Sequence, residues 1–434
     1  MNKLNPLAID LFAGAGGVSE GILQAGFHII YSNEISKDAA LTYKKRHEQL
    51  GLIDGQNTIL EVKDIRSISG LDILKKISKL PLIDNKKVKI DAIFGGPPCQ
   101  GFSRAGKQKE NDERNTLFRE YLRIISEVKP KYVVFENVTG ITDIKFSNYK
   151  SLFDQKIYNK THALDIIVNE LRKIGYNSLD YKILNASDFG VPQNRNRFIL
   201  IAYKKGVKKP NYPLATHREK KITTLEALGD LVNINNLNSF QLSSKHGRTP
   251  HIITGIPIAE ETIYNNEKTS HYPYIQERFS LLNEGESIAI LRKKIIKSGL
   301  DLEKYPYLLE YFLSKTSYSR SFAINIFKYK QFSEKDLDIL LTKKNSRNKL
   351  RKDKPSNTIV TLPDDIISPF ENRIFSVREL ARLQSFDDSF IFYGKRTTGA
   401  KFRRIETPQY TQVGNAVPPL LAKAIAKEII NVLK

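Results

Sequence analysis

Asp10-Leu11-Phe12-Ala13-Gly14-Ala15-Gly16-Gly17, entered from Leu7-Ala8-Ile9, reads as a strand that runs into a helix through a turn with three glycines. Glycine tolerates positive φ and lets a backbone come close to a ligand, so such a turn either holds a nucleotide-like molecule or is simply tight. Val18–Ala25 continues as a helix and Gly26 stops it. Phe27–Asn33 is a second strand ending at Glu34, where a carboxylate can accept both hydroxyls of a ribose. Turn and carboxylate together fit an adenosine-containing cofactor. The spacing is not G-x-G-x-x-G, which speaks against NAD. Asp64-Ile65, after a third strand, is placed to reach an adenine or is an ordinary loop pair.

The same alternation continues outward. Ala39–Arg46 is helical, and Asp91–Phe94 is a strand running into Gly95-Gly96-Pro97-Pro98. Leu117–Val128 is a helix, Tyr132–Phe135 a strand ending at Glu136, and Leu164–Ile174 a helix closed by Gly175. Tyr181–Leu184 and Arg197–Ala202 are strands. Strands separated by helices predict an α/β fold with a doubly wound, mostly parallel sheet. Its polar residues gather just after strand C-termini, where open α/β sheets bind ligands.

After Lys204 the rhythm breaks. Residues 205–353 are rich in Asn, Ser and Tyr, show no βαβ period, and hold 26 Lys and Arg against 16 Asp and Glu. Within them Lys315–Lys352 is densest, with 11 basic residues against 3 acidic. A second, smaller, irregular domain is expected there. Regularity returns near Pro355, with helices at Val377–Gln384 and Leu420–Val432. The chain of 434 residues has room for two or three domains at about 150 residues each.

The net charge of +22 suits a polyanionic partner. One cysteine excludes an internal disulfide and any multi-thiolate zinc site, and no metal is expected. No apolar run of about 18 residues is present and the N-terminus does not read as a signal peptide, so a cytoplasmic protein without a membrane span is expected.

A lone cysteine is in general a small buried hydrophobe. Cys99 instead follows a strand and the rigid Pro97-Pro98 pair and precedes Gly101, on a fixed turn. Arg104, Lys107, Lys109 and Arg114 follow it, and a positive field lowers a thiol pKa from about 8.5 towards the reactive thiolate. The polar segment Gly101–Asn115 suits a lid or a solvated loop.

Pro97-Pro98-Cys99-Gln100, taken with the Asp10–Gly17 turn, Glu136-Asn137-Val138, Gln193-Asn194-Arg195-Asn196-Arg197 and Gln412-Val413-Gly414-Asn415-Ala416-Val417-Pro418, resembles the DNA (cytosine-5)-methyltransferase family. The motifs stand in the family's order from about residue 7 to the end of the chain. Arg378–Phe386 resembles its penultimate motif, and the early first motif is similar to that of bacterial restriction-modification enzymes. The irregular 205–353 stretch falls where the family carries its variable target-recognition region.

The resemblance implies a catalytic domain over residues 1–204 that regains 405–434, and a recognition domain over 205–404. It implies S-adenosylmethionine as cofactor, with contacts from Phe12, Gly14, Gly16, Gly17, Glu34, Ile35, Asp64, Ile65, Pro98, Leu117, Asn415 and Ala416. It implies that Cys99 adds as thiolate to C6 of cytosine, which activates C5 towards a methyl sulfonium. Glu136 then binds N3 and the exocyclic amine, Arg197 binds O2, and Arg195 supports the site. Gln193–Arg197 also reads as a basic turn facing phosphates. Gln100, Ser103 and Asn137 are the further substrate contacts implied.

The target carbon is hidden in a duplex, so the base must flip out at a cost of about a few kcal/mol. Double-stranded DNA is the expected partner, a cognate endonuclease acts separately, and the enzyme is expected to be a monomer. Arg320, Arg347 and Arg351 are candidates for gripping guanine, or are solvated charges. Two other readings stay open. An RNA-modifying relative typically carries Cys-Phe-Thr, where this chain has Gly101-Phe102-Ser103 after Gln100. A silent DNA-binding regulator would not need intact Cys99, Glu136, Arg197 and Glu34.

Overall fold

The computed structural model describes residues 5–83, 88–98, 117–233, 237–399, 402 and 405–434. Eight strands form the central sheet: β1 (Leu7–Leu11), β2 (His28–Glu34), β3 (Leu60–Val62), β4 (Ala92–Gly95), β5 (Tyr132–Asn137), β6 (Tyr176–Ser178), β7 (Lys182–Asn185) and β8 (Asn196–Lys204). The order is β3–β2–β1–β4–β5–β8, with β6 and β7 both paired to the outer edge of β8. From β3 to β5 every pairing is parallel, and β8 runs antiparallel to β5. This is the expected α/β sheet; strand β6 was not read from the sequence, and the other strands differ from the expected ones only at their ends.

All five residues of β1 are buried, as a strand covered on both faces requires. Leu7, Ile9 and Leu11 face one core, formed with helices Gly70–Ile77, Leu117–Val128 and Ala163–Lys173. Ala8 faces the other, built from helix Gly17–Ala25 and the C-terminal helix Pro419–Leu433 through Ile22, Leu421, Ile425 and Ile429. The last helix thus packs on the first. A Cβ at Gly21 would lie 2.4 Å from the Lys423 amide nitrogen, so glycine is what permits this approach.

The stretch expected to be irregular is built of short helices. Pro273–Ser280, Ile288–Ser298, Pro306–Ser314, Arg320–Lys328 and Glu334–Leu340 enclose a core of their own, including Phe279, Leu291, Phe312, Phe327 and Leu341. A further core joins Ala15, in the glycine turn, to Leu228, Ile359, Leu380, Phe386, Val413 and Ala416. Helix Gly70–Ile77 and the two short ribbons between Lys145 and His162 were not foreseen. Among the described residues no helix is long and apolar enough to cross a membrane.

Candidate active site

The glycine turn is shaped by backbone angles that few residues adopt. Phe12, Gly14 and Gly16 have φ of 60°, 58° and 106°. Phe12 is the non-glycine among them, the kind of local strain that gathers at functional turns. Parallel pairing sets Leu11 beside Asn33, which brings Glu34 level with the turn. The Gly14 amide donates to Glu34 Oε2 and the Ser36 amide to Oε1, each at 2.8 Å. A carboxylate has about four acceptor positions, so lone pairs remain for two ribose hydroxyls. Burial pushes the Glu34 carboxyl up, and the amides that bond it pull the other way. Ile35 beside it is 62% exposed, an apolar surface that an aromatic base could cover.

A buried polar chain lies under this turn. Asp10 accepts the Ser19 hydroxyl, and the Tyr43 hydroxyl bridges Ser19 and Ser32. The Tyr43 ring also comes within 3.2 Å of where a Gly16 Cβ would stand. Neither Ser19 nor Tyr43 was foreseen. Their signal was weak, since a polar residue on a helix is usually solvated.

Two further expected cofactor contacts follow β3. Ile65 is 3% exposed, with its side chain in the core on one face of the sheet. Asp64 caps the turn at Arg66 and is held by the Arg66 guanidinium at 2.6 Å, which keeps its carboxyl below the usual range. Pro98 and Leu117 flank residues 99–116 and are half-buried. Asn415 is exposed and Ala416 is buried against Gly17, where a Cβ would meet the Val417 carbonyl at 2.4 Å. The C-terminal motif therefore does return to the glycine turn.

The second cluster lies at the ends of β5 and β8. Antiparallel pairing sets Ile199 opposite Glu136, so Arg197 leaves β8 at the same end. Arg197 Nε lies 2.9 Å from Glu136 Oε1, with both side chains almost buried. Burial pushes the Glu136 carboxyl up, against the pull of Arg197 and Arg195, and pushes the Arg197 guanidinium down. Asn137 Nδ2 donates to the Pro97 carbonyl at 3.1 Å, which ties this cluster to the chain leading into Cys99. Cys99, Gln100, Ser103 and the Gly101–Asn115 segment lie outside the described residues.

Arg195, expected to support the site, is held by backbone carbonyls. Its two terminal nitrogens donate to the Ile359 and Gly414 carbonyls, each at 2.8 Å, and it is 2% exposed. It is a positioning residue that joins three distant stretches and adds positive field at Glu136. Gln193 does related work: its Oε1 accepts the Ile359 amide and its Nε2 donates to Gln384, which in turn donates to the Val413 carbonyl. In the penultimate motif Arg382 is buried between Asp230 and Asp388, and Arg378 is buried on the Tyr264, Asp387 and Phe390 carbonyls. These buried partners are long-range and cannot be read from spacing.

The three candidate guanine-reading arginines each have a carboxylate partner. Arg347 is pinned by Asp364, both carbonyl and carboxylate at 2.6 Å, and serves as a brace. Arg320 pairs with Glu310 and Arg351 with Asp353, in exposed ion pairs of the kind that contribute little to stability.

The glycine turn and a carboxylate–guanidinium pair thus lie at the same end of the central strands. Comparison with known proteins accords with that arrangement. The family profile for C-5 cytosine-specific DNA methylase matches residues 7–431. A type II methyltransferase of Desulfomicrobium norvegicum, M.DdeI, is 31% identical over 97% of this chain and 88% of its own length. M1.HphI of Haemophilus parahaemolyticus, also a type II methyltransferase, is 30% identical over 98% of this chain and 86% of its own. In fold, the chain is similar to the crystal structure of a prophage-encoded DNA modification methyltransferase from E. coli, with a TM-score of 0.64, 22% identity and 99% of each chain covered. The protein is an enzyme, and it belongs to the C-5 cytosine-specific DNA methylase family.

Proposed function

We propose that this enzyme transfers a methyl group from S-adenosylmethionine to C5 of a flipped cytosine within a specific duplex sequence, through a covalent bond from Cys99 to C6. The observation that carries the reading is the Glu136–Arg197 pair, tied through Asn137 to the chain entering Cys99. The cofactor turn fits the proposed donor: Glu34 keeps free lone pairs, a Cβ at Gly14 would meet nothing within 4 Å, and Ile35 is exposed beside them. Phe12, Gly14, Gly16, Gly17, Glu34, Ile35, Asp64, Ile65, Pro98, Leu117, Asn415 and Ala416 are proposed to hold it.

Bound there, the sulfonium supplies an electrophilic methyl group. The chain's own residues do the rest. The Cys99 thiolate adds to C6 and drives the ring electrons towards C5. Glu136, its carboxyl raised by burial, can hold a proton at N3 while accepting from the exocyclic amine. Arg197 faces O2, and its pairing with Glu136 fixes both groups before the base arrives. After C5 has taken the methyl group its proton leaves to water, and Cys99 departs as thiolate.

Residues 1–204 and 405–434 are proposed as the catalytic domain and 205–404 as the recognition domain, with base edges read from 205–353. The names of the type II relatives suggest a modification enzyme of a restriction-modification system, with its endonuclease a separate protein. A monomeric cytoplasmic enzyme belongs to the same reading. Bisulfite sequencing of DNA from cells expressing the chain tests it. One fixed sequence with one protected cytosine is expected; conversion of every cytosine contradicts it.

A further inference from the structure

The helical part of the chain holds a cleft whose lining carries more basic than acidic side chains. Tyr274 and Tyr311, on helices Pro273–Ser280 and Pro306–Ser314, stack with centroids 4.1 Å apart and planes 4° from parallel. Tyr272 continues the stack at 5.9 Å and is 71% exposed. The Arg278 guanidinium lies over both inner rings, at 5.6 Å and 5.3 Å, and Lys315 Nζ lies 5.7 Å from the Tyr311 centroid. Arg278 is also fixed by the Leu340 carbonyl at 2.7 Å.

These groups border a cleft of about 790 Å³ that is also lined by Lys335, Lys343 and Asp338. Asp338 is already engaged by Arg292. Among the described residues no carboxylate pairs with Lys315, Lys335 or Lys343. Five neighbouring basic residues differ: Arg320, Lys344, Arg347, Arg351 and Lys352 each have a carboxylate partner. Of the lysines in the dense stretch that lack a carboxylate partner among the described residues, Lys315, Lys335 and Lys343 line this cleft, whereas Lys328, Lys330 and Lys349 are not part of its lining. Cations held together repel one another, and a concave wall focuses their field on an anion.

We propose that this cleft binds consecutive phosphates of the DNA backbone, outside the base pairs that are read and away from the flipped cytosine. The inference rests on duplex DNA being the substrate. The tyrosines act as a platform that orients Arg278 and Lys315 by cation–π contact. They leave no slot for the base of a free nucleotide, because the two inner rings are closed on each other. Several cations spread along a wall match a run of phosphodiesters better than one compact anion.

The test replaces all three lysines (Lys315→Gln, Lys335→Gln, Lys343→Gln) in the full chain. Anisotropy then gives the Kd for a labelled 30-base-pair duplex across a salt series. The slope of log Kd against log salt should fall by about 2 to 3, near 0.9 for each phosphate that is no longer neutralised. A control with Lys293→Gln, Lys297→Gln and Lys328→Gln removes the same charge outside the cleft. It should keep the parent's slope, and both variants should keep the parent's thermal midpoint. An unchanged slope in the cleft variant overturns the proposal, as does an equal loss in the control. Calorimetry with ATP distinguishes a free-nucleotide site: binding by the parent that the cleft variant loses, with the DNA slope unchanged, also overturns it. If the parent itself neither binds nor methylates DNA, the proposed function fails instead.

Discussion

Gly96 stands where any side chain would meet Glu136: a Cβ built there would lie 2.7 Å from Glu136 Oε2. Glu136 is held from the other side by Arg197, so it can yield only by moving the carboxylate out of register. Gly96→Ala should therefore fold and bind S-adenosylmethionine as the parent does. Its kcat should fall by about tenfold to hundredfold, the usual consequence of misplacing a reacting group by about 1 Å. Steady-state kinetics at saturating DNA and cofactor check this, and an unchanged kcat would mean that Glu136 does not touch the base.

Glu34→Ala removes the acceptor for the Gly14 and Ser36 amides and the proposed ribose partner together. Loss of charge-assisted bonds to two hydroxyls should cost on the order of 1.5–3 kcal/mol, a roughly tenfold to hundredfold rise in the Kd for S-adenosylmethionine. Titration calorimetry reads it directly. A Kd equal to the parent's would remove Glu34 from the cofactor site.

What could be read in the sequence was local. The glycine turn and Glu34 stand at adjacent strand ends in a regular βαβ stretch, so periodicity alone placed them. Arg195 was expected to support the site, but its partners, the carbonyls at 359 and 414, could not be named from the sequence. No spacing rule links those positions. The helices after residue 204 were hidden for another reason. They are short and set in Asn- and Ser-rich sequence, though capping boxes were present at Thr223 with Glu226, Asn238 with Gln241, and Ser333 with Asp336. The apolar residues of 273–341 cover one another rather than the sheet, so no βαβ rhythm could emerge.

Asp10 makes part of the stability depend on pH. Burial pushes its carboxyl from 3.8 up to about 7, the Ser19 hydroxyl pulls it down, and the charge of Glu34 adds to the rise. A raised folded-state pKa means that the folded state binds the proton more tightly. The stability this contributes is complete below 3.8 and is lost as pH rises through about 7. Asp10→Asn stays neutral throughout. Its stability relative to the parent should improve as pH rises from about 4 to about 7 and then level off, a gain on the order of a few kcal/mol seen as a higher relative thermal midpoint. Melting curves across that range check it, and parallel pH dependences for the two proteins would contradict it.

The central claim is the covalent bond from Cys99 to the cytosine ring, and a trapped adduct tests it most directly. Fluorine at C5 takes the place of the proton that must leave, so elimination cannot release the thiolate once the methyl group is in place. Duplex DNA with 5-fluorocytosine at the methylated position should become linked to the enzyme in the presence of S-adenosylmethionine. The complex should survive denaturing electrophoresis. Cys99→Ser should form no complex and methylate nothing while still binding the cofactor, because a hydroxyl at neutral pH is a far weaker nucleophile than a thiolate. Free enzyme and free DNA after incubation, on a sequence that the parent demonstrably methylates, or near-normal turnover by Cys99→Ser, would contradict the account.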